Sequence, residues 1–252
     1  METPITILGG GLIGLSLAHA LAVRGRDVLV LSRRRSEAAG VVAAGMLAPH
    51  AEGLQGEMLE LGRLGLSRVP AWVAGIEADA QMDCGLRPCG IVVPFASARE
   101  RDAYPTARWG ERLERSDLER EVPGLGADWR AGLLFRQDGQ IDNRRRLMRA
   151  LERACVARGV RFEEGSEVLE LLTRDCSEAA ATGRRLRAVR LRRCDGGEQE
   201  LACDQAVLAC GAWSSRLLPR LPLFPVKGQM LSLQGPRQAL HRGVFGPGTY
   251  LV

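Results

Sequence analysis

The sequence predicts an α/β fold whose first part is a parallel β-α-β unit, and two observations predict it. An apolar strand, Ile5-Thr6-Ile7-Leu8, runs into Gly9-Gly10-Gly11-Leu12-Ile13-Gly14, opens a helix and returns to a second apolar strand, Val28–Leu31. Much later, Ala206–Ala209 is wholly apolar and ends in the small residues Cys210-Gly211-Ala212 before Trp213, as a parallel core strand does at its ligand-facing end.

Each motif glycine has a separate task. Gly9 turns the chain sharply off the strand, and Gly11 lets backbone approach a pyrophosphate. Gly14 lets the helix pack closely on the sheet, with its positive N-terminus toward the phosphates. The motif by itself is weak; its place between a strand and a helix is what gives it meaning.

The elements follow in order. Leu15–Arg24 carries Leu17, Ala18, Leu21 and Ala22 at helical spacing and is closed by Gly25. A polar, Ala-rich loop then runs to Glu52. A second helix starts near Glu57 and continues to Ala80, with Pro70 kinking or dividing it. Gly90–Phe95 is a short strand, and the charged stretch Ser97–Glu121 reads as helical. Gly132–Phe135 is a strand, and Asp142-Asn143 caps a helix that ends at Arg158-Gly159. Val160–Leu172 alternates as strands, and Thr173–Gly183 reads as a polar loop. Arg187–Arg193 and Glu198–Cys203 form a hairpin about Asp195-Gly196-Gly197, and Leu223–Leu233 has strand character. No internal repeat is present.

Composition narrows the function classes. With 252 residues, 46% hydrophobic and 26% charged, the chain can bury the core of one or two ordinary globular domains. The net charge of +5 is carried almost wholly by arginine, since Lys227 is the only lysine. No aromatic residues interleave with Arg33-Arg34-Arg35 or Arg144-Arg145-Arg146 as a base-stacking surface requires, so a solvated arginine surface is favoured over nucleic-acid binding. The seven cysteines lack Cys-x-x-Cys spacing and a nearby histidine, which argues against a metal site and for reduced thiols in a cytoplasmic protein. No apolar run reaches membrane-spanning length, and no targeting segment precedes Ile5.

Four stretches together resemble the FAD-dependent amine and amino-acid oxidases of the glycine/D-amino-acid oxidase superfamily, in particular the bacterial glycine oxidases of thiamine biosynthesis. They are Gly9–Gly14; Ala43-Ala44-Gly45-Met46-Leu47-Ala48-Pro49-His50-Ala51-Glu52, similar to that family's flavin loop; Ala206–Ser214, with Cys210 where the family has threonine; and Pro225-Val226-Lys227-Gly228-Gln229 with Thr249-Tyr250-Leu251-Val252. The resemblance implies FAD as cofactor and a small amino acid and O₂ as reactants, and it leaves a homo-oligomer open. It places Leu12 and Ile13 at the pyrophosphate, Ser32 and Arg33 at the adenosine ribose, and Ala39 and Gly40 along the phosphates. Ala44, Gly45 and Met46 would lie against the flavin ring, Val168 would meet the adenine end through its backbone, and Gly211 belongs to the late cofactor-facing strand end. Tyr250 matches the substrate-pocket tyrosine, and Tyr250 and Met46 would flank the chemistry. Met46 and Val168 also suit a plain core, and His50 suits a satisfied structural histidine better than a base.

The resemblance implies a Rossmann-like FAD-binding domain (1–80 and 140–215) with an interleaved α+β substrate domain (81–139 and 216–252) built on an antiparallel sheet. Two departures qualify it. Ser32 stands where such folds carry an acid for the ribose hydroxyls, and the arginines after it also suit a 2′-phosphate, so an NADP-binding module is a rival. The chain also stops at Val252, ahead of the family's carboxylate-binding arginine and flavin-closing Gly-rich segment. A truncated, catalytically incomplete flavin-binding protein is therefore the second rival.

Overall fold

The computed structural model describes residues 3–141, 144–176, 183–231, 240–246 and 248–252. The first elements are β1 (Ile5–Leu8), α1 (Leu12–Val23), β2 (Val28–Ser32), α2 (Ala39–Val42), β3 (Met46–Leu47) and α3 (Gly56–Ala80). Then come β4 (Leu86–Arg87), β5 (Ile91–Phe95), α4 (Ala98–Asp102), β6 (Glu111–Glu114), α5 (Arg115–Glu121), β7 (Ala131–Phe135) and β8 (Gly139–Ile141). The rest are α6 (Arg144–Ala157), β9 (Arg161–Glu164), β10 (Glu167–Cys176), β11 (Gly183–Arg192), β12 (Glu198–Ala202), β13 (Ala206–Leu208), α7 (Ser214–Leu217), β14 (Gly243–Gly246) and β15 (Thr249–Leu251). These gather into two units, Met1–Ala43 with Ile76–Met82 and Met148–Gln229, and Ala44–Gly75 with Asp83–Leu147 and Met230–Val252. Residues 44–75, grouped by the sequence reading with the cofactor domain, fall in the second unit.

The first unit is built on a four-stranded parallel sheet in the order β13-β1-β2-β9. Its strands form because Ile7, Leu8 and all of β2 are buried, as continuous apolar runs between covered faces must be. Leu8, Leu29 and Leu31 pack with Val189 and Leu191 from the antiparallel sheet β10-β11-β12, and Leu208 and Cys210 close the edge of that core. The late strand β13 is half-buried at the sheet's edge rather than central.

Behind α1, His19 Nε2 lies 2.7 Å from Asp79, which also accepts two hydrogen bonds from the Arg158 guanidinium at 2.6 and 2.7 Å. Those bonds, with His19 adding to them, hold the Asp79 carboxyl at about 2, against an ordinary 3.8. A depressed acid stabilises the fold fully above its unfolded pKa and loses that contribution as pH falls through the folded value. Asp79→Asn is expected to lower stability by about 1 kcal/mol at neutral pH, because Arg158 is partly solvated. The variant should also lose less stability than the parent between about pH 4 and pH 2. Urea-unfolding midpoints across that range check both.

The second unit pairs a five-stranded, largely antiparallel sheet (β15-β14-β5-β7-β6, with β14 parallel to β5) with a small antiparallel sheet, β3-β8-β4. Strand β5 is buried on both faces. Ile91, Val93 and Phe95 join Ala48, Ala51, Leu133 and Phe135, while Val92 faces Leu113, Leu118, Val122, Leu134 and Val244.

Several expectations need correction. The loop after β2 holds a 3₁₀ turn at Arg35–Glu37, helix α2 and strand β3. Pro70 does not divide α3; it sits on an exposed face, where the carbonyl left without its N–H partner can turn to water. Residues 97–121 are not one helix: β6 interrupts them, since pairing with β7 rewards an extended segment whose single buried residue is Leu113. Thr173–Cys176 and Gly183 extend the β10–β11 ladder instead of forming a loop. No strand forms over Leu223–Leu231, where Phe224, Val226 and Leu231 are exposed; Ser232 and Leu233 lie outside the described residues. The Asp142-Asn143 cap also lies outside them. The six cysteines with described side chains are free thiols, and no helix among the described residues is long and apolar enough to cross a membrane.

Candidate functional site

The glycine turn of the first unit is dictated by close approach. Gly9 has φ +113°, and a Cβ there would lie 2.4 Å from the Ala209 carbonyl oxygen. A Cβ on Gly14 would fall 1.9 Å from the Gly9 oxygen, so only glycine lets α1 descend this far onto the end of β1. Gly11 is different. It caps α1 with ordinary φ −81°, and its added Cβ would meet only Ala38 Cβ, at 3.8 Å. Among the described residues the space over Gly11 is open and no side chain caps α1, whose first turn carries no acid. The N–H groups of Leu12 and Ile13 have no intrahelical partners by virtue of their position, and Ile13 is exposed. An uncapped helix end beside an open glycine is what a pyrophosphate needs, so these residues fit a dinucleotide.

Three other segments of this unit meet the turn. Ser32, at the end of β2, is buried with its Cβ 3.3 Å from where a Gly10 Cβ would stand. Gly40 abuts the start of α1: its added Cβ would lie 3.2 Å from Leu12 Cβ and 3.0 Å from Met148 Sδ, while Ala39 beside it is exposed. The end of β13 closes the third side, with Ala209 N donating to Leu8 O at 2.8 Å. There the Cys210 thiol, pushed up to about 11 by burial, stays neutral and faces the same oxygen at 3.2 Å, so it serves as a donor. Gly211, at φ +54°, begins the turn that follows.

The arginines after Ser32 are already engaged. Arg33 lies 3.1 Å from Glu37, 3.8 Å from Glu167 and over the Trp213 ring; Arg34 also reaches Glu37. Arg35 pairs with Glu152 and Glu164 and stacks on Phe162. A 2′-phosphate would compete with these carboxylates; Arg35 Nη1 alone of the Arg35 nitrogens is buried with no partner among the described residues. Val168 does not face the turn with its side chain, which packs on the Leu8–Leu29–Leu31 core, but a bulge between Val168 and Glu170 leaves the backbone irregular there.

In the second unit, Ala44, Gly45 and Met46 form the lead-in to β3. Gly45 has φ +86°, and a Cβ would strike the Ile141 oxygen at 2.3 Å, while Ile141 N donates to Gly45 O at 2.7 Å. The segment is thereby stitched to β8, with Met46 opposite Gln140. Met46 is half-buried against the core that contains Ala48 and Phe135. Tyr250 stands on β15 opposite Phe245 and is 38% exposed, which leaves it able to meet a ligand.

The sequence did not reveal the partner of His50. Asp138 is fully buried, lies 2.6 Å from His50 Nδ1 and accepts from the backbone N–H groups of His50 and Ala51 at 3.2 and 2.8 Å. Burial holds its carboxyl above the ordinary range against the lowering effect of those donors. The Thr106 hydroxyl donates to His50 O, and the imidazole stacks on Phe135. His50 and Asp138 thus hold the chain that follows β3 in place. Only the Asp-Gly pair before β8 hinted at Asp138, and it reads as a turn.

Comparison with known proteins shows the family. The family model described as FAD dependent oxidoreductase matches residues 4–252. Among relatives, the bifunctional protein ThiO/ThiG of Synechocystis sp. is 38% identical over 256 residues, covering 98% of this chain but 36% of its own length. A glycine oxidase of Bacillus licheniformis is 27% identical over 258 residues, covering 98% of the chain and 65% of that protein. The crystal structure of glycine oxidase from Bacillus cereus superposes with a TM-score of 0.81 at 23% identity, over 99% of this chain and 67% of that one. The chain therefore spans little more than a third of the bifunctional relative's length. With its model matched from residue 4 to residue 252, the chain belongs to the FAD-dependent oxidoreductase family.

Proposed function

We propose that this chain carries the FAD site and part of the substrate site of a glycine-oxidase-type enzyme that oxidises glycine or a related small amino acid or amine to its imine. Bound FAD would supply the redox chemistry, accepting a hydride equivalent from the α-carbon and returning the electrons to O₂ as hydrogen peroxide. The observation that carries the reading is the open, uncapped glycine turn at Gly11, in a chain matched from residue 4 to residue 252 by the FAD-dependent oxidoreductase family. Gly11, Leu12 and Ile13 would offer backbone donors to the pyrophosphate, with Gly9 and Gly14 shaping the turn. Ser32 and Arg33 would take the ribose, Ala39 and Gly40 the phosphates, and Val168 and Gly211 the flanks. Ala44, Gly45 and Met46 would lie against the flavin ring, and Tyr250 would orient the substrate. The relatives named ThiO/ThiG support a place in thiamine biosynthesis, where the imine would feed thiazole formation.

The test is the visible absorption spectrum of the purified chain, followed by anaerobic glycine. Flavin bands that bleach with glycine are expected. Bands that persist would mean a flavin-binding chain without turnover, the second reading. No flavin after incubation with FAD, together with retention of NADP, would overturn the assignment in favour of the nicotinamide rival.

A further inference from the structure

The small sheet of the second unit presents a polar group that the fold itself does not use. Gln140, on β8, is the direct antiparallel partner of Met46, and opposed residues in such a pair project from the same face. Its Oε1 is buried and has no hydrogen-bond partner among the described residues. The oxygen lies toward β14, where a Cβ added to Gly243 would stand 3.4 Å from it. Two residues along that strand, on the same face as Gly243, is Phe245, opposite Tyr250. Met46 and Phe245 pack on one and the same cluster, Ala48, Ala51, Ile91, Val93, Phe95, Leu133 and Phe135. Met46, the Gln140 carboxamide, the bare Cα of Gly243 and Tyr250 are thus brought to one region.

We infer that Gln140 is a specificity-determining residue whose side-chain oxygen accepts a hydrogen bond from the amino group of the bound substrate. The inference rests on the proposed amino-acid oxidase reading. A buried acceptor without a donor is costly, and native folds keep few of them. An amide oxygen takes an N–H and repels a carboxylate, so at this position it selects the amine end of a small amino acid and leaves the carboxylate to other groups.

Gln140→Met, of similar length but without the acceptor, tests this beside Gln140→Glu, which keeps one. In FAD-loaded protein, the glycine concentration giving half-maximal anaerobic bleaching should rise about tenfold in Gln140→Met, and Gln140→Glu should stay within about threefold of the parent. Acetate, which has no amine, should perturb the flavin spectrum equally in the parent and in Gln140→Met, and FAD affinity should not change in that variant. Without any cofactor, Gln140→Met should melt higher than the parent, because the orphaned acceptor is gone. A lower melting temperature would reveal a structural role and overturn the inference. So would parallel weakening of glycine and acetate, or no change for glycine. A selective loss of FAD affinity would assign the oxygen to the flavin ring instead and overturn it too. Failure of the unsubstituted chain to bind FAD or respond to glycine would bring down the proposed function itself, which separates the two failures.

Discussion

Gly14→Ala is expected to abolish FAD retention and to destabilise the protein by about 3 kcal/mol, because overpacking at a rigid backbone contact forces a shift of the elements that make it. The added methyl would sit 1.9 Å from the Gly9 oxygen, so α1 must rise from the sheet or β1 must unravel at its end. Gly11→Ala provides the contrast. Its φ of −81° suits any residue and its Cβ meets only Ala38 at 3.8 Å, so the free protein should melt within about 2 °C of the parent. The methyl would instead occupy the space a pyrophosphate approaches, and FAD affinity should fall at least about tenfold. Thermal melts of the free chain and equilibrium FAD titration by flavin fluorescence check the pair. Equal FAD affinity in Gly11→Ala and the parent would remove the turn from the cofactor site.

The second large effect is expected at Asp138, far from the glycine turn in sequence. Removing the shared acceptor of several buried donors leaves each of them unsatisfied, at a cost of about 1–3 kcal/mol for each. Asp138→Ala strands the His50 ring nitrogen together with the N–H groups of His50 and Ala51, all inside a core that water does not reach. Asp138→Asn keeps one acceptor for the backbone and should lose less, about half as much. Chemical unfolding midpoints measure the stability change. Because these bonds fix the chain just after Gly45 and Met46, flavin absorbance in the FAD-loaded variant should broaden even where the protein remains folded. A sharp, unshifted spectrum in Asp138→Asn would show that the network serves stability alone.

The two predictions divide along the line between local and distant information. The unit β1–turn–α1–β2 was legible because its signals are local: apolar runs, glycines at fixed spacing, and a helix period closed by Gly25. The hairpin about Asp195-Gly196-Gly197 was legible for the same reason, and so was β5, whose apolar run is short and bounded. The candidate residues of the glycine turn and of the Ala44–Met46 segment came from such runs and from family motifs written into contiguous sequence.

What the sequence left open was decided by pairing between distant segments. Strand β6 lies in a charged stretch that propensity alone would make helical, and its ladder with β7 overrides that preference. Residues 223–231 show the converse: strand-like composition does not make a strand when no neighbour supplies the ladder. The arginines after Ser32 looked available for a phosphate until Glu37, Glu152, Glu164 and Glu167 were brought beside them. His50 and Asp138 are 88 positions apart, and Met46 meets Gln140 only through the β3–β8 register. Sequence by itself determined the parallel cofactor unit, because glycine geometry and apolar periodicity act within a few residues. The tertiary structure alone decided which polar groups are satisfied and which are left for a ligand, because a hydrogen-bond partner is fixed by strand register and packing rather than by neighbours in the chain.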